Sequence, residues 1–357
     1  MNIILKTEQL QSMVAKAVKG AGNNRLLPIT GLMAIIGGNN ELKLITTDAT
    51  TYLFITEPVE GIEPFYAVVS VDVFSRLVTK ITSEEITLDA DGGKLTISGN
   101  GKYIIPMSLD ETGNYIKYPN PLEKFVTTTG SVEIPTSVLI KVLMALKPSL
   151  ATDTSCYRGY YIDNDRAVAT DTFTIASTKA QFGEFGERLL NPEVIDLCGL
   201  LSTDVVDISF NDEEFTIFTP DCTIYSHVMS GIEDYQIKAI GNLVEQAFPH
   251  YVTLSKQAFI QMLDRIALFV SPWDKNVVEL RFTEDGISAF SKNSSSAEVI
   301  PYFTKDDFGE FECSIDVMML ITQLKAHPGN TVILWYGLPN AIKLNNEDLT
   351  QIIALSE

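Results

Sequence analysis

The sequence predicts an α+β protein built from three copies of one domain, each copy made of two helix-plus-antiparallel-strand halves. Two recurring phrases carry the prediction. The first is an amphipathic helix followed by a hairpin. It occurs at residues 7–19 with Ile45-Thr46-Thr47-Asp48, at 135–147 with Val168-Ala169-Thr170-Asp171, and at 255–269 with Gly286-Ile287-Ser288-Ala289-Phe290, where the Thr-Asp ending is lost. The second phrase is Ser70-Val71-Asp72-Val73-Phe74, echoed by Asn191-Pro192-Glu193-Val194-Ile195 and Ser314-Ile315-Asp316-Val317-Met318. These starts lie roughly 120 residues apart, too long for a solenoid unit and the length of a whole domain. Composition supplies the third observation, since 357 residues that are 45% hydrophobic and 20% charged suit two or three ordinary globular domains.

Taken in order, the first helix has Thr7 as N-cap and Glu8 in its first turn, with Leu10, Met13, Val14, Ala17 and Val18 on one face. Lys16 and Lys19 fall off that stripe. The helix after Ser70 turns Val73, Phe74 and Leu77 inward and leaves Arg76 and Lys80 outside. In the second copy Val138, Leu139, Val142, Leu143 and Leu146 form the stripe, and Lys141 and Lys147 point elsewhere. The helix opening at Pro192 breaks the pattern, because it carries Glu193 and Asp196 and no base. The third copy places Ile260, Leu263, Ile266 and Ala267 inward with Lys256 and Arg265 free, and the last helix pairs Val317, Leu320, Ile321 and Leu324 with an outward Lys325.

Between the helices, segments such as Lys94-Leu95-Thr96-Ile97, Phe215-Thr216-Ile217-Phe218 and Thr331-Val332-Ile333-Leu334-Trp335-Tyr336 read as strands. The pattern lapses into proline, glycine and polar residues near Pro119-Asn120-Pro121 and again over 242–249. Domains of 1–124, 125–245 and 246–357 follow.

The net charge of −20 argues on its face against a nucleic-acid partner, since DNA binders carry a basic footprint. The charge is unevenly spread, however. Acids gather in strand-to-strand turns, at Asp89-Ala90-Asp91-Gly92-Gly93, Asp163-Asn164-Asp165, Asn211-Asp212-Glu213-Glu214 and Glu284-Asp285-Gly286, where Asn, Asp and Gly tolerate tight hairpins. An EF-hand would need further ligands and a closing Glu, and the Asp89 segment has none. Four scattered cysteines, Cys156, Cys198, Cys222 and Cys313, form no C-x-x-C pair and predict neither a zinc site nor a disulfide framework. With no apolar run near the roughly 18 residues of a membrane span and no signal-peptide layout at the N-terminus, a cytoplasmic protein is expected.

Catalytic motifs are missing. Gly20-Ala21-Gly22 lacks the third glycine of a dinucleotide fingerprint and follows a helix, and the sequence contains no P-loop, H-E-x-x-H or G-x-S-x-G. His227, His250 and His327 fall in different parts of the repeat. The paired Thr-Asp endings invite a nucleophile or metal reading, but their recurrence in two copies favours a local turn held by side-chain hydrogen bonds. No enzyme, no metal and no cofactor is expected.

Three stretches, Asn23-Asn24-Arg25-Leu26-Leu27-Pro28-Ile29-Thr30-Gly31-Leu32, Leu44-Ile45-Thr46-Thr47-Asp48 and Val168-Ala169-Thr170-Asp171, resemble the bacterial DNA polymerase III beta subunit, the sliding clamp. The resemblance runs through all three domains in order. It implies half of a six-domain ring, closed by a head-to-tail homodimer, with helices around the hole and sheets outside. A ring that slides needs cations facing phosphates without reading sequence, and acids outside keep DNA from sticking there. By periodicity alone Lys16, Lys19, Arg76, Lys80, Lys141, Lys147, Arg265 and Lys325 are the polar faces of surface helices. The resemblance turns them toward duplex DNA, and Arg25 corresponds to a family arginine that contacts DNA.

The same resemblance implies a pocket for polymerase, clamp loader and other client peptides. It is formed by Tyr157, Thr170, Thr172, Phe173, Ile175, Ile237, Lys238, Ile352, Ile353 and Leu355, mostly apolar as a peptide groove requires. Thr172-Phe173 stands where the family has Gly-His, Gln236-Ile237 where it has a basic pair, and Ile353-Ala354-Leu355-Ser356 where it ends Met-Pro-Met-Arg. A divergent or phage-encoded member fits those departures. The ring contact would join Tyr103 and Ile105 on an edge strand to Leu268 and Phe269 at a helix end. Two other readings compete: an acidic, repetitive oligomeric structural protein such as a virion component, and a cytosolic carboxylate hydrolase, which needs its acids in one cleft.

Overall fold

The protein, seen here as a computed structural model, is described for residues 2–110, 112–125, 130–270, 276–291, 296–346 and 348–356. In chain order, β1 (Asn2–Lys6) leads to α1 (Thr7–Ala17), β2 (Leu32–Gly38), β3 (Glu41–Thr47), β4 (Thr51–Pro58) and β5 (Phe65–Ser70). Then come α2 (Val71–Val78), β6 (Glu85–Asp91), β7 (Lys94–Ser98), β8 (Lys102–Pro106), β9 (Gly130–Pro135) and α3 (Thr136–Leu146). The middle of the chain supplies β10 (Tyr160–Ile162), β11 (Arg166–Thr170), β12 (Thr174–Lys179), β13 (Arg188–Leu190), α4 (Glu193–Cys198), β14 (Val205–Phe210), β15 (Glu214–Phe218) and β16 (Cys222–His227). The last part holds α5 (Ile237–Glu245), β17 (His250–Ser255), α6 (Lys256–Ala267), β18 (Val277–Thr283), β19 (Gly286–Ser291) and β20 (Ala297–Ile300). It closes with β21 (Thr304–Asp307), β22 (Phe311–Asp316), α7 (Val317–Ala326), β23 (Thr331–Tyr336), β24 (Ala341–Asn345) and β25 (Leu349–Ala354). The α+β class is as expected, every ladder being antiparallel.

The chain condenses into two compact units, residues 1–137 with 193–228 and residues 138–192 with 229–357. The first holds a four-stranded sheet, β1-β6-β7-β8, and an eight-stranded sheet, β5-β2-β3-β4-β16-β15-β14-β9. In it α1 packs on α2, and Gln11 Nε2 donates to the carbonyls of Val78 and Ile81 at 2.9 Å, closing off the end of α2. Leu10, Met13, Val14 and Ala17 are buried as the stripe requires, while Val18, expected on the same face, is exposed. Thr7 is the first helical residue, not the N-cap; Lys6 precedes the helix without a side-chain cap.

The second unit holds β13-β10-β11-β12-β25-β24-β23-β17-β21 and β20-β19-β18-β22. Here α6 packs on α7 over a core that includes Phe259, Met262, Leu263, Ile266, Leu320 and Leu324. Both helices have side-chain caps: Ser255 Oγ accepts from the Ala258 amide, and Asp316 Oδ1 accepts from those of Met318 and Met319. The acidic α4, back in the first unit, has only six residues, and Val194, Ile195, Leu197 and Cys198 are all buried. No described helix is long and apolar enough to cross a membrane. The cysteines are free; burial pushes the Cys198, Cys222 and Cys313 thiols up to about 12.

Candidate functional site

Most of the repeated bases sit at helix ends; Lys141 is mid-helix in α3. Lys16, Arg76, Arg265 and Lys325 occupy the last turns of α1, α2, α6 and α7, and Lys19, Lys80 and Lys147 follow their helices within a turn or two. Cations there complement the negative end of the helix dipole, so the placement is locally favourable whatever they face. They differ in what already engages them. In the first unit Lys16 Nζ donates to Asp221 at 3.0 Å, and Arg76 meets Asp72 one turn back at 3.4 Å. Lys19, Arg25 and Lys80 are exposed and form no ion pair with a described residue.

In the second unit Lys141 lies 3.6 Å from Asp348 and Lys325 3.8 Å from Asp264, while Arg265 grips Glu298 with two parallel hydrogen bonds. Lys147 is exposed and engaged. The sequence reading treated these bases as equivalent. Among the described residues the structure divides them into three without ion pairs and five held by carboxylates. Asp221 shows how firmly: burial opposes its ionisation, but hydrogen bonds from Lys16, Ser202 and Thr219 hold its carboxyl below the usual range.

The apolar site is built on one face of the nine-stranded sheet. Across β11, β12 and β25 the registers align Thr170, Ile175 and Ile352 in one row, Val168, Ser177 and Thr350 in the next, and Arg166 beside Lys179 in a third. Tyr161, opposite Val168, stacks on Tyr235 with centroids 5.3 Å apart, and Tyr157 meets Tyr235 edge-on at 5.1 Å. Against this face lies α5, with Ile240 buried and Ile237 and Val244 half-buried. Lys343, from neighbouring β24, donates to the carbonyls of Val244 and Gln246 at 3.1 and 2.7 Å. Beside α5 an open cleft of about 610 Å³ runs over Val168, Ser177 and Thr350, flanked by Arg166 and Lys179.

Of the predicted pocket residues, the structure gathers Tyr157, Ile175, Ile237 and Ile352 into one cluster, with Thr170 on the same row. Ile353 does not join them. Successive strand residues face opposite ways, so Ile353 is fully buried in the α6–α7 core, where Leu355 also packs. Thr172 and Phe173 sit on the β11–β12 turn, Phe173 62% exposed, and Lys238 points to solvent. The sequence reading missed α5, and the linker expected over 242–249 overlaps its last four residues. Ile237, Ile240 and Val244 have helical spacing, but Gly241 and Asn242 between them read as a loop.

The Thr-Asp turns are structural. Thr47 Oγ1 donates to the Thr51 carbonyl and Thr170 Oγ1 to that of Thr174, each at 2.7 Å. Asp48 Oδ1 and Asp171 Oδ1 accept amides two and three residues on. Each turn forces a left-handed residue, Ala49 at φ +90° and Thr172 at φ +76°.

Of the expected ring-contact residues, Tyr103 lies on edge strand β8 at 39% exposure, and Leu268 and Phe269 protrude after α6 at 81% and 55%. Ile105 is corrected. It is 4% exposed inside its own unit, and Ile104, on the opposite face of the strand, is exposed instead.

No family model and no curated protein matches the chain. Solved structures match from end to end. The DNA polymerase sliding clamp from Bacillus subtilis is 19% identical, with a TM-score of 0.87 and coverage of 100% of this chain and 99% of that one. The beta subunit from the DNA polymerase of Streptococcus pyogenes is 17% identical at a TM-score of 0.88, covering 100% of both chains. A DNA polymerase III subunit beta from Pseudomonas aeruginosa, bound to griselimycin, is 16% identical at 0.84, covering 100% and 99%. The chain therefore has the sliding-clamp fold over its whole length.

Proposed function

We propose that two copies of this chain close head to tail into a ring that encircles duplex DNA, tethering a polymerase without reading sequence or catalysing a reaction. The observation that carries this is the full-length correspondence to sliding clamps at TM-scores of 0.84 to 0.88. Three domains per chain, 1–124, 125–245 and 246–357, give such a ring six similar parts. Lys19, Arg25 and Lys80, free of carboxylate partners among the described residues, are its first phosphate contacts; the paired bases contribute only when phosphate displaces an acid.

Tyr103, Ile104, Leu268 and Phe269 form the contact between copies, where an exposed apolar edge would otherwise invite aggregation. The Tyr157–Ile175–Ile352 face takes client segments from polymerase, clamp loader and other partners in the cytoplasm of a bacterial cell or phage-infected host. Static light scattering tests the closure: twice the 39.4 kDa chain mass is expected at micromolar concentration, and the single-chain mass throughout refutes it.

A further inference from the structure

Helix α5 occupies the apolar face that the proposed function assigns to partners. Ile240 is buried in the cluster with Ile175 and Ile352, and Ile237 and Val244 flank it on the same side of the helix. We infer that α5 is a built-in, displaceable occupant of this groove, and that the partner segment replacing it is a short amphipathic helix with aliphatic residues at the i, i+3 and i+7 positions.

Three features make α5 a cover and not a fixed wall. It is nine residues long, below the length at which an isolated helix holds itself together. Its N-terminal end has no side-chain cap, Gln236 preceding it without one, and the backbone departs from helical geometry at Gln246. Gly241 sits in its middle, where it weakens a helix, and an added Cβ there would meet only the Arg166 guanidinium at 3.6 Å, so packing does not demand glycine. One contact holds it from outside, the Lys343 ammonium on its last carbonyls. An incoming helix of the same pattern would satisfy the same ammonium and the same apolar row. The adjoining open cleft over Val168, Ser177 and Thr350 leaves room for it to begin docking before α5 leaves.

This inference rests on the reading of the face as a partner site, and its test is independent of ring closure. The probe is a labelled synthetic peptide of residues 236–247, and binding is read by fluorescence anisotropy on the full chain. The Ile240→Ser/Val244→Ser variant should bind it at least ten-fold more tightly than the unaltered chain, and adding Ile352→Asp should abolish the gain. Equal binding by both proteins, or binding by neither, overturns the proposal. Should the variant fail to fold, hydrogen exchange on the unaltered chain decides. The amides of residues 241–245 should exchange at least ten-fold faster than those of β12 and β25, and equal protection refutes a displaceable helix. Failure here with a dimeric mass sinks the cover alone, whereas a monomeric mass with the expected binding sinks only the ring.

Discussion

Neutralising Lys19, Arg25 and Lys80 together should remove most of the DNA affinity that salt can screen. These are cations without an ion-pair partner among the described residues, so each can meet a phosphate without first giving up a carboxylate. Each phosphate contact contributes roughly 0.9 to the slope of log affinity against log salt. Six such contacts in a two-chain ring amount to a slope of about 5, or about a thousand-fold between 50 and 200 mM salt. The assay is anisotropy of a labelled linear duplex across a salt series, for the unaltered chain and for Lys19→Ala/Arg25→Ala/Lys80→Ala. A matched control, Arg265→Ala/Glu298→Ala, deletes a closed pair and leaves net charge unchanged, so its slope should stay within about 0.5 of the original. An unchanged slope in the triple variant, or an equal flattening in the control, would refute the division of bases drawn from the ion pairs.

Three further outcomes follow from particular side chains. Ile353→Ala should cost about 2–4 kcal/mol in urea unfolding, because it empties a fully buried site, whereas Phe173→Ala, mostly exposed, should stay within about 0.5 kcal/mol; similar costs for the two would contradict the strand phase. Thr172→Gly should stabilise by about 0.5–1 kcal/mol, since the left-handed backbone costs an L-residue about 1–2 kcal/mol and glycine returns part of that as unfolded-state freedom; a loss of stability would show that the Thr172 side chain holds the turn. His327 is buried with Nδ1 on Gln351 Oε1 at 2.8 Å. Burial holds its pKa below the ordinary value, with Gln351 opposing and Lys256 assisting. The unfolded chain therefore takes the proton first, so this contribution is complete above about pH 6.5 and is lost as pH falls below it. Between pH 7 and 5 the unaltered chain should lose more stability than His327→Gln, and parallel losses would exclude His327 as a source.

Much of the fold was legible because its signals are local. The helix stripes of α1, α3, α6 and α7 depend only on residue spacing, and the Thr-Asp turns are closed by side chains two to four residues from their partners. What stayed hidden depends on distant partners or on phase. Nothing near Lys16 in the chain announces Asp221, 205 residues away, yet that pair decides whether the lysine is free. The apolar run at Ile352 and Ile353 marks a buried strand but not which residue faces which layer, and Ile105, carried over from the resemblance, is the inward neighbour of the exposed Ile104. Helix α5 was missed because Gly241 carries a loop signal; burial of Ile240 against Ile175 and Ile352 overrides that weak local preference.

Encirclement is the central claim, and two-dimensional class averages from negative-stain electron microscopy test it most directly. The account predicts closed rings of six similar lobes around a stain-filled hole, each ring made of two chains. Compact particles without a hole, or open crescents of one chain at every concentration, would contradict it.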